Sequence, residues 1–453
     1  MIPCNVKELC RAIGGQLLQS AAEELTGVST DSRTVGEGDL FIPLVGGKFD
    51  GHAYLTMALE KGAAGCVCAK VPEELLPGKF YIRVEDTALA LRDIAGWYRG
   101  RFAIPVIQIT GSAGKTTTKE MVAAVLSQHC PTLKTLANFN NQIGTPQTLL
   151  RLEAEHRAAV IETGMDHFGD LSYLAGTVRP TVAVITNIGD AHIENMGGTR
   201  QGTLRSKSEI FEGLAPDGLA VLNGDDELLS TLELPFATLR CGKGENCDVR
   251  VTDIVEKGID GIICTVTTKK ETYCLEIPSP GGYMIYPASM AVAIGEHLGM
   301  QKADIIAGVA AYVSTGSRMR RIRLKEERLV IDDCYNANPQ AMEEALRILA
   351  KSRSGRKLAI LGDMGELGDL TPAAHRAVGA LTTELDLDAV VAIGPKSRDI
   401  AAAGDERVRH FLTIEEALPA IHQLFTAGTM ALVKASHAME FGKIVKELEE
   451  TYQ

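Results

Sequence analysis

No stretch of the chain approaches the ~20 consecutive apolar residues that cross a bilayer, so no membrane insertion is expected. The opening segment, MIPCNVKELCRAIGG, places no sustained apolar core behind a basic region, and no signal peptide is expected either. The ten cysteines include no C-x-x-C pair, and free thiols in that number point to a reducing, cytoplasmic setting. Within GCVCA, Cys66 and Cys68 fall on one face of a short strand, where burial explains them better than a metal does. Cationic excess is also missing. The 46 Lys and Arg stand against 58 Asp and Glu, a net charge of −12, which argues against a nucleic-acid-binding surface. An anionic substrate is admissible only if its cations are gathered locally. Repeats and low-complexity segments are absent.

What is present is a globular balance, 45% hydrophobic and 23% charged, in 453 residues. At ~100–200 residues per domain that length suggests two to four domains. The first hundred residues alternate short strands and helices, and the polar segment YRGRF marks a boundary near residues 98–105. Beyond it PVIQIT, AAVIET, TVAVITNIG and LAVLN read as buried strands separated by helical stretches, the pattern of a parallel sheet covered on both faces. Residues 240–280 alternate like antiparallel strands and predict a small decorating sheet. From Gly316 onward RLVIDDCYN, KLAILGDMG, DAVVAIG and MALVKAS predict a second, smaller doubly wound sheet. The expected fold is therefore α/β in three domains, residues 1–100, 101–316 and 317–453, with a central P-loop parallel sheet and a smaller C-terminal Rossmann-like sheet.

The sharpest local signal is TGSAGKTTTK, residues 110–119, between an apolar strand and a helix-period segment. Backbone amides of such a turn, with a helix N-terminus behind them, hold phosphate. The general pattern G-x-x-x-x-G-K-[ST] wants glycine where Ile109 stands, so Gly111, Gly114, Lys115 and Thr116 keep the chemistry in a compressed loop. Lys115 would neutralise the terminal phosphates of ATP and Thr116 would join a Mg²⁺ shell. Polar residues also terminate the other strands: Glu162, then Asn187, Asp190, His192 and Glu194, then Asp332, Asp333, Asn336 and Asn338, then Asp363 and Glu366, then Lys434 and Ser436. Singly these are ordinary turn formers and caps, and Asn338 before Pro339 is a good cap. Glu162 is different, because a carboxylate closing AAVI is costly unless paired or metal-bound, and with His192 it could hold a second metal. A P-loop regulatory switch is the competing class, but the base-reading N-K-x-D is absent.

The compressed loop resembles the ATP-binding loop of the Mur ligases, which extend the peptide of the cell-wall precursor. NFNNQIGTP, IETGM, NIGDAHIENMG and DDCYNANPQAM are similar to that family's successive motifs in the family's order. The resemblance implies activation of a carboxylate by ATP as an acyl phosphate, attack by an amine, and domain closure that keeps water out. It implies that Gly111, Ser112, Ala113, Gly114, Lys115, Thr116 and Thr117 cradle the triphosphate. Thr116, Glu162 and His192 would hold Mg²⁺. Asn138, Asn140 and Asn141 would line the phosphate and acceptor side, and Arg318, Asp333 and Asn338 would meet the phosphates, ribose and adenine. Lys207 stands where several members carry a carbamylated lysine, although Arg205 and Glu209 also permit a plain helix-face cation. The amino-terminal domain would grip a UDP-sugar near Ser32, Arg33, Lys48, Asp50 and His52, and the C-terminal domain would receive the incoming dipeptide.

Within the family, ALVKASHAMEFGKIV and ILGDMGELG followed by His375 are similar to the fourth-step branch, and the D-N-P-R-type motif of the third step is missing. The implied substrates are UDP-N-acetylmuramoyl-tripeptide and D-alanyl-D-alanine; the alternative is a third-step enzyme adding lysine or diaminopimelate. Nothing calls for an obligate partner, and a monomer is expected. Three positions depart from the family pattern: Ala435 and Ser317 replace usual glycines, and Asp170 a usual glutamate.

Overall fold

The computed structural model describes residues 1–453 apart from 21–23, 48, 190–192, 353–354 and 366. Lys48, Asp190, His192 and Glu366 lie outside the described residues. Two compact units result. The first comprises Met1–Arg250, Thr268–Lys270 and Ser289–Gly308, and the second Val251–Thr267, Glu271–Ala288 and Val309–Gln453.

The first unit is built on a parallel sheet ordered Thr132–Lys134, Ala158–Glu162, Val106–Thr110, Val182–Ile185, Leu219–Asn223 and Ala237–Gly242. Its four central strands are buried along their whole length, as continuous Val, Ile and Ala runs require when both faces are covered. The strand before the glycine loop lies in the middle, with Ile109 opposite Glu162 and Thr110 opposite Ile185. That register brings the polar strand ends to one edge, where ligands bind in open α/β sheets.

A second sheet, ordered Gln16–Gln19, Phe80–Arg83, Gly65–Cys68, Asp39–Phe41 and Gly27–Ser29, belongs to the first hundred residues. Cys66 and Cys68 are buried together against Phe41, Leu55 and Leu59, as their shared face predicts. The segment YRGRF, polar by composition, is not a solvated linker. Tyr98 is fully buried, its hydroxyl accepting from the Ile2 amide at 2.8 Å and donating to the Leu152 carbonyl at 2.6 Å. Arg99 donates to the carbonyls of Val178, Phe102 and Arg179, and burial, with Arg179 nearby, pulls its pKa down to about 10. One apolar cluster runs from Leu9 and Leu40 through Ile94 to Leu149 and Ile161, so core packing crosses residue 100.

The alternation through residues 240–280 predicted antiparallel pairing, and Ile262–Thr267 with Thr272–Ile277 pairs that way. Ala237–Gly242 and Val249–Glu256 run parallel, with Cys241 opposite Val249. Alternation reports one buried and one solvated face, not strand direction.

The second unit holds a six-stranded sheet ordered Arg320–Arg323, Leu329–Asp332, Thr429–Lys434, Arg356–Gly362, Ala389–Ile393 and Val408–Phe411. All neighbours are parallel except the first pair. Apolar clusters cover both faces, one around Leu346, Leu361 and Leu432, the other around Ile360, Val433 and Phe441. This is the predicted smaller doubly wound sheet, with two additional edge strands.

Candidate active site

The glycine loop follows Val106–Thr110 and feeds the helix Lys115–Leu126. Gly114 begins that helix at φ +77°. Gly111 lies at φ +152°, and a Cβ there would stand 1.9 Å from Thr186 Oγ1, so both positions demand glycine. The neighbouring strand end pins the loop. Thr186 Oγ1 donates to the Ala113 carbonyl at 2.5 Å, Asn187 Oδ1 accepts from the Ala113 amide at 2.8 Å, and the Asn187 carbonyl accepts from the Ser112 amide at 3.1 Å. The Ser112 and Ala113 amides, expected to cradle phosphate, are thus spent on fixing the loop itself. The first helical turn, whose amides have no intrahelical acceptor, carries Lys115, Thr116 and Thr117. Lys115 Nζ donates to the Gly111 carbonyl at 2.8 Å.

Gly111, Ser112, Lys115, Asn140, Asn141 and Lys207 line part of one cleft of about 400 Å³. Beside it Glu162 closes its strand with 2% of its surface exposed. Its Oε1 accepts from Asn140 Nδ2 at 2.9 Å, whereas Oε2 is buried without a hydrogen-bond donor. A buried carboxylate oxygen without a hydrogen-bond donor fits a hard divalent cation, which takes oxygen ligands and is completed by phosphate and water. Among the described residues no group of three or more His, Cys, Asp or Glu side chains could hold a metal alone.

Asn141 serves differently from Asn140: its Oδ1 accepts from the Ile143 and Gly144 amides and fixes the turn that leads into the helix Gly144–Leu149. Asn138 is exposed and does not line the cleft. Asp170 accepts from the Asp166 and His167 amides and from Gln142 Nε2, a compact arrangement served by the shorter carboxylate.

Lys207, on the helix Arg200–Ser208, is 2% exposed. The helix-face pairing that Arg205 and Glu209 permitted does not form: Glu209 accepts from the Gly169 and Ser172 amides, and Arg205 lies over the Phe168 ring. Burial, reinforced by the charge of Lys115, lowers the Lys207 pKa from 10.5 to about 7. Between those two values the unfolded chain binds this proton more tightly, so raising the pH stabilises the fold, and below pH 7 the cost is constant and complete. In bicarbonate-free buffer, Lys207→Met is expected to raise stability at pH 7 by roughly 2–4 kcal/mol. It should also remove the rise in stability between pH 7 and 10, both read from urea unfolding curves.

Of the amino-terminal residues, the structure joins Asp50 to His52. His52 Nδ1 donates to Asp50 Oδ1 at 2.7 Å while Nε2 accepts from the Ala69 amide, and Lys70 reaches the other Asp50 oxygen at 2.5 Å. Lys70 first, then His52, hold the Asp50 carboxyl well below the usual range. Arg33 instead pairs with Asp31 at 2.7 Å and, through that hydrogen bond, lowers the Asp31 pKa to about 2; neighbouring Ser32 is 9% exposed.

In the second unit Asp333 accepts from Lys434 at 2.6 Å and from the Met319 amide, and burial still pushes its pKa up. Arg318 stacks 3.8 Å from the centre of the Tyr335 ring. Asn338 is the cap its sequence predicts, accepting from the Ala341 amide on the helix Pro339–Lys351.

Sequence reasoning missed Lys119, Thr186 and Thr135. The only signal for Lys119 was its place four residues after Lys115, on the same helix face.

Fold and site together define a multidomain P-loop nucleotide-binding enzyme. Within that class the chain belongs to the Mur ligase family. The model of the Mur ligase middle domain matches residues 109–295, that of the glutamate ligase domain residues 317–437, and that of the family's catalytic domain residues 24–99. The UDP-N-acetylmuramoyl-tripeptide–D-alanyl-D-alanine ligase of Bacillus subtilis is 34% identical over 459 residues, covering 100% of this chain and 99% of its own. A crystal structure of MurF from Acinetobacter baumannii superposes with a TM-score of 0.91 at 32% identity, covering 99% of both chains. MurF ligase from Thermotoga maritima, solved in complex with ADP, gives 0.81 at 27% identity, covering 94% of this chain and 97% of that one.

Proposed function

We propose that the protein joins D-alanyl-D-alanine to UDP-N-acetylmuramoyl-tripeptide at the expense of ATP, a step in peptidoglycan precursor synthesis. The full-length match to the Bacillus subtilis ligase is the observation that carries this reading. The three matched segments support a division into an amino-terminal UDP-sugar-binding domain, a central ATP-binding domain and a C-terminal domain for the dipeptide. No described helix is long and apolar enough to cross a membrane, and the substrates are those of a cytoplasmic enzyme.

The first chemical step forms a bond between a carboxylate oxygen of the tripeptide and the γ-phosphorus, and ADP leaves. The amine of the dipeptide then attacks the acyl carbon, the C–O bond to phosphate breaks, and the nitrogen loses a proton. Lys115 and the first-turn amides of its helix neutralise charge that builds on the phosphates. Thr116 and Glu162 would hold Mg²⁺, with His192 as a further ligand; the cation supplies Lewis-acid polarisation of the phosphoryl oxygens. Lys207, whose pKa burial lowers to about 7, is the amine that carbon dioxide would carbamylate, releasing one proton. From the family resemblance alone, Arg318, Asp333 and Asn338 are assigned to the nucleotide, and Ser32, Arg33, Lys48, Asp50 and His52 to the UDP-sugar.

The test is a substrate panel read by product mass. UDP-N-acetylmuramoyl-tripeptides ending in lysine or in diaminopimelate are each supplied with D-alanyl-D-alanine, ATP and Mg²⁺. The control supplies UDP-N-acetylmuramoyl-dipeptide with lysine or diaminopimelate. Product in the first set alone is expected; product in the control alone would make the protein a third-step ligase.

A further inference from the structure

Lys119 lies one helical turn beyond Lys115 on Lys115–Leu126, and its side chain is 1% exposed. An ammonium has three donors. Lys119 Nζ donates to the Thr135 carbonyl at 2.9 Å and is paired with Glu120 Oε1 at 2.9 Å. Its remaining charged neighbour is Glu162 Oε2, at 3.8 Å, within ion-pair range but beyond hydrogen-bond reach. Glu120 is not dependent on Lys119, because its other oxygen is paired with Lys134 at 2.5 Å. Buried Lys119, Glu120 and Glu162, with Lys134 reaching in from a partly exposed position, therefore form a cluster of two positive and two negative charges.

A packing role alone does not account for this arrangement. Burying an ammonium is costly, and a methionine would fill the same volume without that cost. Glu120 already has a cation, and Lys119 gives Glu162 charge without a hydrogen bond, so the Oε2 lone pairs stay unspent. The result is a carboxylate that is neutralised yet still able to ligate.

We propose that Lys119 is a positioning residue that offsets the charge of Glu162 and so makes divalent-cation binding at that carboxylate conditional on the phosphates of the nucleotide. This rests on Glu162 being a cation ligand. A divalent ion approaching Oε2 meets an ammonium already 3.8 Å from the same atom, and repulsion between charges is several-fold stronger in a buried site than in water. Only the added negative charge of a polyphosphate in the glycine loop tips the balance. The cation then enters with its nucleotide and does not occupy the loop ahead of it.

Mn²⁺ binding to the full-length chain, followed by the electron paramagnetic resonance of free Mn²⁺, tests this without reference to catalysis. In the absence of nucleotide, Lys119→Met is expected to bind Mn²⁺ about tenfold or more tightly than the unaltered protein. Lys119→Arg should bind as the unaltered protein does, and Lys119→Met/Glu162→Gln should lose the gain. Lys119→Met/Glu120→Gln, which removes one charge of each sign, should show a gain too and serves if the single variant does not fold. No gain in a folded variant, or a gain that survives Glu162→Gln, overturns the proposal. The premise is read separately. If Glu162→Gln weakens Mn²⁺ binding in the presence of ATP but Lys119→Met shows no gain, only the role of Lys119 falls. If Glu162→Gln changes nothing with ATP present, Glu162 is not a ligand.

Discussion

Lys115→Ala is expected to lower ATP-dependent product formation by about 10³-fold while leaving the melting temperature within a few degrees. The side chain spans the loop, its ammonium donating to the Gly111 carbonyl at 2.8 Å. It also lines the cleft that Asn140 and Lys207 share. Removing it deletes the positive charge facing the developing negative charge of phosphoryl transfer, a contribution felt most strongly in the transition state. Lys115 is half-buried. Loss of its charge also removes one of the two causes of the lowered Lys207 pKa, which should move up in the same variant. Product mass per unit time gives the first result, and the pH dependence of unfolding gives the second.

Gly111→Ala is the other change with a large expected effect, for a different reason. The new Cβ would stand 1.9 Å from Thr186 Oγ1 on a backbone at φ +152°. Thr186 cannot simply rotate away, because the same hydroxyl donates to the Ala113 carbonyl and fixes the loop. Steric displacement plus an unfavourable backbone region costs on the order of 2–3 kcal/mol, or about 10²-fold in ATP affinity by titration calorimetry. Gly111→Ala/Thr186→Ala should recover part of that loss, since it removes the clash and leaves the backbone strain. Full recovery would mean that strain at Gly111 is unimportant.

The glycine loop was legible because its requirements are local. A strand, two glycines, a lysine and a helix lie consecutively in the chain, and each residue type has few alternatives. Glu162 was legible for a related reason: a carboxylate ending an apolar strand violates the local pattern, and the violation marks a site. What surrounds these residues was not legible. Lys119 meets Glu162 only because the helix Lys115–Leu126 packs on Ala158–Glu162, and Thr186 meets Gly111 only because Val182–Ile185 is the adjacent strand. Strand order is not written in local spacing. The edge strands Arg320–Arg323 and Val408–Phe411 were missed because RRIR and VRHF carry charge on solvated positions. The burial of YRGRF was not legible, since the phenol of Tyr98 and the guanidinium of Arg99 are polar groups whose partners are buried carbonyls. At Asp50 and His52 the residues do stand together, but their mutual hydrogen bond and that from the Ala69 amide show a built loop, which composition alone does not reveal.

In the proposed reaction, phosphate leaves from an acyl phosphate made on the tripeptide, at the loop that carries Lys115. Tripeptide labelled with oxygen-18 in its reacting carboxylate tests this most directly. The account predicts that each amide bond formed delivers one labelled oxygen into inorganic phosphate, seen by mass spectrometry, and that Lys115→Ala suppresses both together. Amide formation with no label in phosphate would contradict it, because the carboxylate oxygen would never have been bonded to phosphorus.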